Sequence, residues 1–298
     1  MPHEDHHKIP ESGFRLSMVV ALNLVITVAE VIGGLLSNSL SLISDAVHNF
    51  SDGLAAIIAW IAMRLNQRPA DQHYTFGYKR AEVIAASINA GTLAAISVYL
   101  CIEAVNRLLH PHPITGSIMA WVALIGLIAN IVGTGLLYRG SKKNTNLYAL
   151  YLHLLSDALS SLGVVIGGIA ISYFNITWID PVLTILIGLY ILKESIAILK
   201  REMDMFMLAV PSRLSMDDIR KAILSVRGVD GLHHVHLWEV DEGDIHLEAH
   251  IKVRDKTVKE TDKIRRLIEE TLNTHFNILH VILQVECLDT PCETEDRL

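Results

Sequence analysis

The chain has 298 residues, of which 51% are hydrophobic and 19% are charged, and its mean hydropathy is +0.38. A soluble domain of this length is seldom so apolar, so the composition points to a membrane protein. The net charge is −7, and most of it lies after residue 207, which argues against a nucleic-acid partner. Three cysteines provide no disulfide framework and suit a reducing compartment.

The N-terminal segment, residues 1–14, contains His3, His6 and His7. It lacks the short apolar core and the small-residue cleavage site of a signal peptide. We therefore expect a His-containing cytoplasmic segment here, and we expect the apolar stretch that follows to remain as a membrane span.

Apolar runs long enough to cross about 30 Å of hydrocarbon occur six times before residue 207. They lie at about residues 15–36, 40–65, 82–108, 116–138, 146–173 and 179–199. The connections at 37–39 and 175–180 contain no Lys or Arg, whereas the connections on the opposite side are rich in both. The positive-inside rule then places both termini in the cytoplasm. The sequence predicts a six-span transmembrane domain over residues 15–207.

Spans two and five each contain the pattern His-x-x-Ser-Asp, formed by His48 and Asp52 and by His153 and Asp157. An ionisable side chain at mid-membrane costs about 2.5 to 3.5 kcal/mol, so its presence calls for a function. Residues four apart share one helix face, and two such faces can enclose one ion. Two imidazole nitrogens with two carboxylate oxygens suit tetrahedral zinc, whereas an all-oxygen octahedral site would favour magnesium or manganese. The alternative is hydrogen bonding between packed helices.

Other polar residues also lie within the predicted spans. Asp45 precedes the His48 to Asp52 stripe by one turn and can serve as an outer acceptor or as a way-station for the ion. The remaining polar positions can line a pathway, although packing hydrogen bonds explain them equally well. They are Asn23, Glu30, Asn89 and Asn130.

The energy source can also be inferred from residue types. Histidine binds metal only when it is neutral, and its ordinary pKa of about 6.5 lies near cellular pH, so metal entry should expel protons. The sequence has no phosphate-cradling Gly-x-x-x-x-Gly-Lys-Ser/Thr motif and no aspartyl-phosphate motif. We therefore expect a proton gradient, rather than nucleotide hydrolysis, to drive alternating access to one site.

Residues 208–290 show the order αββαβ, which predicts helices on one side of a three-stranded sheet. A capping box at Ser215 opens a helix to about Val226, and the second helix covers about 258–275. The strands are expected near 233–240, 245–253 and 280–288, and residues 291–298 form a C-terminal tail.

Alternation along these strands turns Val235 and Leu237 towards the helices and leaves several His on the open face. A three-residue loop, 241–243, would set His236 opposite Glu248 and His234 opposite His250. We therefore expect this face to be a metal site, a solvated surface or a dimer contact. Cys287 and Cys292 can join a metal site as soft ligands. Metal bound at the contact would relieve repulsion between two acidic copies.

Four segments of the chain resemble the cation diffusion facilitator family, in its zinc-transporting branch. They are residues 41–52, 75–82, 153–157 and 233–238. The resemblance implies a membrane all-α six-helix bundle followed by a small α+β (αββαβ, ferredoxin-like) cytoplasmic domain, assembled as a homodimer. It implies that His48, Asp52, His153 and Asp157 are the transport ligands. Further candidate metal ligands are Asp45, beside these four, and a set in the tail: His233, His236, His250, Glu286 and Cys287.

The sequence thus predicts a secondary active transporter, not an enzyme, that exports a divalent cation, zinc above all, in exchange for protons. We expect it in the lipid of a prokaryotic inner (plasma) membrane, with zinc as transported substrate and as regulatory ligand. The alternative is a membrane-anchored zinc sensor or scaffold that moves nothing. An intramembrane metallohydrolase would need an open metal position and a general base, and the only His-Glu-x-x-His of the sequence, residues 3–7, lies before the first predicted span.

Overall fold

The structure, a computed structural model, describes residues 11–66, 68–142, 145–241, 243–254 and 256–288. The predicted His3, His6 and His7, and the segment 291–298 with Cys292, lie outside the described residues. The chain divides into two compact units, one comprising Met1–Ile61 and Ala86–Leu199 and the other Ala62–Ala85 and Lys200–Leu298.

Long helices occupy the region of the predicted spans. They are α1 Glu11–Ser37, α2 Leu40–Asn66, α3 Ala81–Leu109, α4 Gly116–Ser141, α5 Thr145–Phe174 and α6 Ile179–Phe206. Within the described residues, segments of α3, α4, α5 and α6 are long and apolar enough to cross a membrane, and α1 adds the shorter apolar stretch Leu22–Ser37. Helix α6 continues past the predicted end at 199, because Lys200 and Arg201 end an apolar run without ending a helix. The predicted helical membrane region is confirmed.

Glycines allow α4 and α5 to pack backbone against backbone. A Cβ atom added at Gly168 would lie 2.7 Å from the backbone nitrogen of Ala120, and one at Gly116 would lie 2.5 Å from the carbonyl oxygen of Gly168. Small residues at such crossings are typical of membrane helix pairs. This contact fixes α5, one of the two helices that carry the predicted ligands.

A buried carboxylate holds the beginning of α2. Asp180, in the first turn of α6, is fully buried, and its oxygens accept hydrogen bonds from the hydroxyls of Ser39 and Ser41 at 2.5 and 2.6 Å. They also accept from the backbone N–H groups of Leu40 and Ser41 at 2.9 and 3.1 Å. A carboxylate at this place satisfies the free N–H groups of the first helical turn and complements the helix dipole. Asp180 therefore joins the starts of α2 and α6.

The second unit contains the predicted αββαβ fold. Its elements are α7 Met216–Leu224, β1 Gly231–Asp241, β2 Asp244–Val253, α8 Val258–Phe276 and β3 His280–Cys287. The sheet order is β1-β2-β3, with β1 antiparallel and β3 parallel to β2. Helix α7 begins where the Ser215 side chain accepts from the Asp218 N–H, and α8 begins at a capping box between Thr257 and Glu260.

The sheet packs its predicted apolar face against the two helices. Val235 and Leu237 of β1 share one core with apolar residues of β2, α7 and α8. The pairing of His236 with Glu248 is confirmed. The pairing of His234 with His250 is wrong, because His234 adopts a left-handed φ of 51° and bulges, so that His233 lies opposite His250.

The β1–β2 turn is also tighter than predicted. Asp241 pairs with Asp244 and so belongs to the strand, and the predicted three-residue loop over 241–243 is wrong. Gly243 has a φ of 88°, as expected for a glycine that reverses the chain. A second shift of register, between Glu239 and Asp241, compensates for the turn being one residue shorter than predicted.

The connection between α2 and α3 belongs to this second unit. The Lys79 ammonium lies 2.7 Å from Asp244 Oδ2 at the start of β2, and the ring of Phe76 packs on the edge of His246. Burial alone would raise the pKa of Asp244, but the hydrogen bond and charge of Lys79 bring it below the ordinary value of 3.8. Burial and the neighbouring His280 lower the pKa of His246, so its imidazole is neutral near pH 7.

Candidate metal centre

One turn of α2 and one turn of α5 bring the predicted transport ligands together. Within the helices, His48 Nε2 lies 3.7 Å from Asp52 Oδ2, and His153 Nε2 lies 3.6 Å from Asp157 Oδ2. Between the helices, His153 Nε2 lies 3.0 Å from Asp52 Oδ2, and His48 Nε2 lies 3.5 Å from Asp157 Oδ1. Each imidazole therefore contacts both carboxylates, and each helix contributes one group of each kind.

These separations match the edges of a tetrahedral metal site. Ligand atoms held about 2.1 Å from a zinc ion in a tetrahedron lie about 3.4 Å from one another. Atoms of His48, His153 and Asp157 all lie within 4.8 Å of one another. Asp52 joins this set through its contacts of 3.0 and 3.7 Å with the two imidazoles. His48, His153 and Asp157 can hold one divalent ion, and Asp52 lies close enough to both imidazoles to be a fourth candidate ligand.

Burial divides the four side chains into two pairs. His48 and Asp157 are 9% and 6% exposed, whereas His153 and Asp52 are 33% and 31% exposed. His48 Nε2 is buried and makes no hydrogen bond to a described residue, since its contacts with Asp157 and Asp52 are at 3.5 and 3.7 Å. A buried polar atom without a hydrogen bond costs free energy, which an ion bound at this nitrogen would recover. The more exposed pair gives the ion a side from which to approach.

A cavity of about 300 Å³ borders the buried side of the cluster. Its polar lining comes from Asp45, His48, Ser156, Asp157 and Ser160, and its apolar lining includes Leu183 and Ile187 of α6. The ring of Tyr190 in α6 meets His48 edge-on at 6.3 Å, and its hydroxyl lies 3.4 Å from that of Ser156. Sequence reasoning missed Tyr190, because a tyrosine within an apolar span gives no sign of what it contacts.

Asp45 lies beside the four residues and takes part in a separate set of hydrogen bonds. It is 3% exposed and accepts hydrogen bonds from Ser160 at 3.2 Å and from Ser161 at 3.3 Å. These bonds tie α2 to α5 next to the helical turns that carry the four predicted ligands.

Sequence reasoning also missed Asp180, since an acid in the first turn of a helix does not reveal which neighbouring helix it holds.

Packing hydrogen bonds account for some of the other polar residues in the helices. Asn89 Nδ2 donates to Ser51 Oγ at 3.0 Å, and Asn23 Nδ2 donates to the carbonyl of Asn49 at 3.4 Å. Asn130 is buried, and its side-chain nitrogen has no hydrogen-bond partner among the described residues. The structure thus gives the first two a packing role.

A second cluster lies on the sheet of the C-terminal unit. Glu286 of β3 lies 3.2 Å from His233 Nε2 and 2.9 Å from His250 Nδ1, and the two imidazole rings are 5.2 Å apart. These close approaches do not have hydrogen-bond geometry, and His233 Nε2, His250 Nδ1 and Glu286 Oε2 make no hydrogen bond within the described part of the chain. Three ligands of this kind can hold a divalent ion and leave a fourth position open.

The other predicted tail ligands lie outside this trio. His236 is exposed, faces Glu248 and packs its ring against that of His234 at 4.5 Å. Cys287 is exposed with a free thiol. Glu286 and Cys287 are adjacent on a strand, so their side chains point to opposite faces and cannot both reach the same ion.

Two known protein domains match successive parts of the chain. Residues 16–207 match the cation efflux transmembrane domain, and residues 211–287 match the cytoplasmic domain of cation efflux proteins. Zinc transporter ZitB of Pectobacterium atrosepticum is 39% identical over 297 residues, which cover 98% of this chain and 92% of that protein.

Two other relatives match nearly as much of the chain. The metal cation efflux system protein CzcD of Cupriavidus metallidurans is 36% identical over 281 residues, covering 94% of this chain and 88% of the relative. The cadmium, cobalt and zinc/H(+)-K(+) antiporter of Bacillus velezensis is 36% identical over 262 residues, covering 87% and 83%. The resemblance read from the sequence is confirmed: this chain belongs to the cation efflux family and is a membrane transporter, not an enzyme.

Proposed function

We propose that this protein exports divalent metal ions, Zn²⁺ in the first place, from the cytosol in exchange for protons. The observation that carries the proposal is the convergence of two imidazoles and two carboxylates from α2 and α5, with N to O separations of 3.0 to 3.7 Å. This donor set favours zinc over magnesium or manganese. Relatives named as zinc transporters support the same ion.

Proton exchange follows from the chemistry of the ligands. An imidazole must lose its proton before it binds metal, so occupation of His48 and His153 releases protons and reprotonation expels the ion. The relative named as an H(+)-K(+) antiporter supports a coupled exchange. Alternating access then exposes the one site to each side of the membrane in turn.

We propose the following organisation for the chain. Residues 1–14 form a cytoplasmic segment, 15–207 the membrane domain, 208–290 a cytoplasmic domain and 291–298 the tail. The distribution of Lys and Arg supports cytoplasmic termini in a plasma membrane. Two copies form a homodimer, and the match of residues 211–287 to the cytoplasmic domain of cation efflux proteins is consistent with such an assembly.

We further propose that the C-terminal cluster senses cytosolic zinc. His233, His250 and Glu286 supply three ligands, and the ion would lower repulsion between two acidic domains. Labels on the C-terminal domains of the full-length dimer should approach one another when zinc is added. Distances that zinc leaves unchanged would contradict this role.

Metal uptake by proteoliposomes tests the transport proposal. Vesicles containing the wild type, Asp157→Ala or the control Glu194→Gln, which alters an exposed carboxylate of α6, would be compared for Zn²⁺, Co²⁺ and Cd²⁺ under an imposed pH gradient. We expect the wild type and the control to take up zinc fastest and Asp157→Ala to take up none. Flux through Asp157→Ala at the wild-type rate would remove that residue from the site.

The same experiment separates transport from a second candidate function, a membrane-anchored zinc sensor or scaffold. The open C-terminal trio favours sensing, but it would suffice alone, without ligands inside the membrane domain. A sensor would bind zinc at both clusters with no metal-dependent flux. Wild-type vesicles that bind zinc and transport none would establish that alternative.

A further inference from the structure

Glu30 in α1 is a buried carboxyl group that the four-ligand cluster does not use. Its side chain is fully buried among the membrane helices. One oxygen, Oε2, accepts a hydrogen bond from Asn49 Nδ2 at 2.8 Å. The other oxygen, Oε1, is buried and has no hydrogen-bond partner among the residues that the structure describes.

The charged groups around Glu30 belong to the predicted transport machinery. Asp45 and His48 of α2 and Asp157 of α5 all interact with it electrostatically. Helix α4 presents Gly126 to the free oxygen, where an added Cβ would lie 2.8 Å from Oε1 and 3.7 Å from Ser161 Oγ. The free oxygen therefore lies against the backbone of Gly126, where a side chain would collide with it, and Ser161 borders the same position.

Ser161 and Asp45 lie on the side of Glu30 that faces the four predicted transport ligands. Ser161 donates a hydrogen bond to Asp45 Oδ2 at 3.3 Å, and Asp45 lines the cavity that also borders His48 and Asp157. Ser161 and Asp45 thus provide polar groups between the surroundings of Glu30 and the cavity. Neither residue is one of the four predicted transport ligands.

The surroundings decide which form of Glu30 is stable. A fully buried carboxylate with a single hydrogen bond, near two other carboxylates, is strongly disfavoured relative to its protonated form. A dication held by His48 and Asp157 reverses the sign of the local field and favours the ionised form. Metal entry and proton loss at Glu30 therefore assist one another.

We infer that Glu30 is a second binding site, for a proton, coupled electrostatically to the metal site, and that it supplies one of the protons exchanged for each metal ion. This inference rests on the proposed proton-coupled transport. The O–H bond of the Glu30 carboxyl breaks as the dication arrives, and the proton leaves by way of Ser161 and Asp45 to the cavity. Its return restores the neutral acid after the metal has left.

The test compares the full-length protein with Glu30→Gln, which has nearly the same shape and stays neutral at every pH. Zinc affinity would be measured from low to high pH, together with the protons released per zinc bound. For the variant, we expect about one fewer proton per zinc and a slope of log affinity against pH smaller by about one. The two affinities should converge at low pH, where the wild-type carboxyl is also neutral. Glu30→Asp, which keeps a titrating group, should restore part of the slope.

The outcomes distinguish the role of Glu30 from proton-coupled transport itself. A wild type that releases protons and a Glu30→Gln protein that releases as many would overturn the role of Glu30 and leave antiport intact. A wild type that releases none would overturn both. Zinc affinity that responds to K⁺ or Na⁺ in the wild type, but not in Glu30→Gln, would assign the site to a metal ion instead of a proton.

A spectroscopic measurement on the wild type does not depend on the folding of a variant. A protonated carboxylic acid has a C=O stretching band that the carboxylate lacks. Infrared difference spectra should show this band disappear when zinc binds. A spectrum without that loss would overturn the inference.

Discussion

The intramembrane cluster and the C-terminal cluster use the same chemistry on different frameworks. The first takes His48, Asp52, His153 and Asp157 from two helical turns, and the second takes His233, His250 and Glu286 from three strands. The first brings together four candidate ligands and the second three. Four protein ligands would fill the coordination sphere of a transported zinc ion, whereas three would leave one position for water or another group.

The two clusters also differ in how directly the sequence encodes them. On a helix, a spacing of four residues always places two side chains on one face. On a sheet, a single bulge changes which residues face each other. A site built on helices can therefore be predicted from spacing, and a site built across strands depends on a register that spacing does not show.

The largest effect should come from removing a ligand of the intramembrane cluster. Asp157→Asn keeps the shape of a nearly fully buried side chain but removes its charge, and we expect zinc affinity to fall by about 3 kcal/mol, roughly 100-fold. Equilibrium zinc titration of the full-length protein measures this loss. A variant that binds zinc as the wild type does would contradict the four-ligand site.

Removing the charge of Asp180, which holds α2 but is not a predicted ligand, should lower the free energy of unfolding by an amount comparable to that loss of zinc binding energy. In Asp180→Asn, one acceptor oxygen becomes an N–H donor that faces the backbone N–H of either Leu40 or Ser41, at a cost of about 3 kcal/mol. Thermal unfolding in detergent should show a lower Tm, while the number of zinc ions bound stays the same. An unchanged Tm would mean that this carboxylate does not hold α2.

A smaller effect is expected at the C-terminal trio. Glu286→Gln removes its only charged ligand, and we expect affinity at this cluster to fall about tenfold, or about 1.4 kcal/mol. Zinc-binding stoichiometry of the full-length protein should show one class of site weakened and the other unchanged. Equal weakening of both classes would show that the clusters are not independent.

The bulge offers a direct way to test the importance of register. His234→Val places a β-branched residue at a φ of 51°, which costs about 1 to 2 kcal/mol, whereas His234→Gly removes the strain. We expect the valine variant to lose zinc binding at the trio and the glycine variant to keep it. Retention of binding in both variants would mean that the bulge does not set the position of His233.

The smallest effect concerns the contact of Lys79 with Asp244, a partly exposed ion pair worth about 0.5 to 1 kcal/mol. Because the pKa of Asp244 is lowered by folding, this stabilisation is complete above the ordinary value of 3.8 and disappears as the pH falls through the lowered value. Unfolding of the wild type and Lys79→Met should differ at pH 7 and converge in acid. A constant difference would exclude the ion pair as its cause.

Spacing, apolar length and charge distribution in the sequence determined the long helices, the αββαβ order and the pairing of each His with its Asp. They could do so because each of these patterns acts within one element. Tertiary structure alone decided that α2 meets α5 at ligand distance, that Asp180 holds α2, and that His233 and not His234 faces His250. These outcomes depend on contacts between elements and on one left-handed residue. The energies of these contacts are comparable to those of alternative arrangements, and no periodic pattern in the sequence marks them.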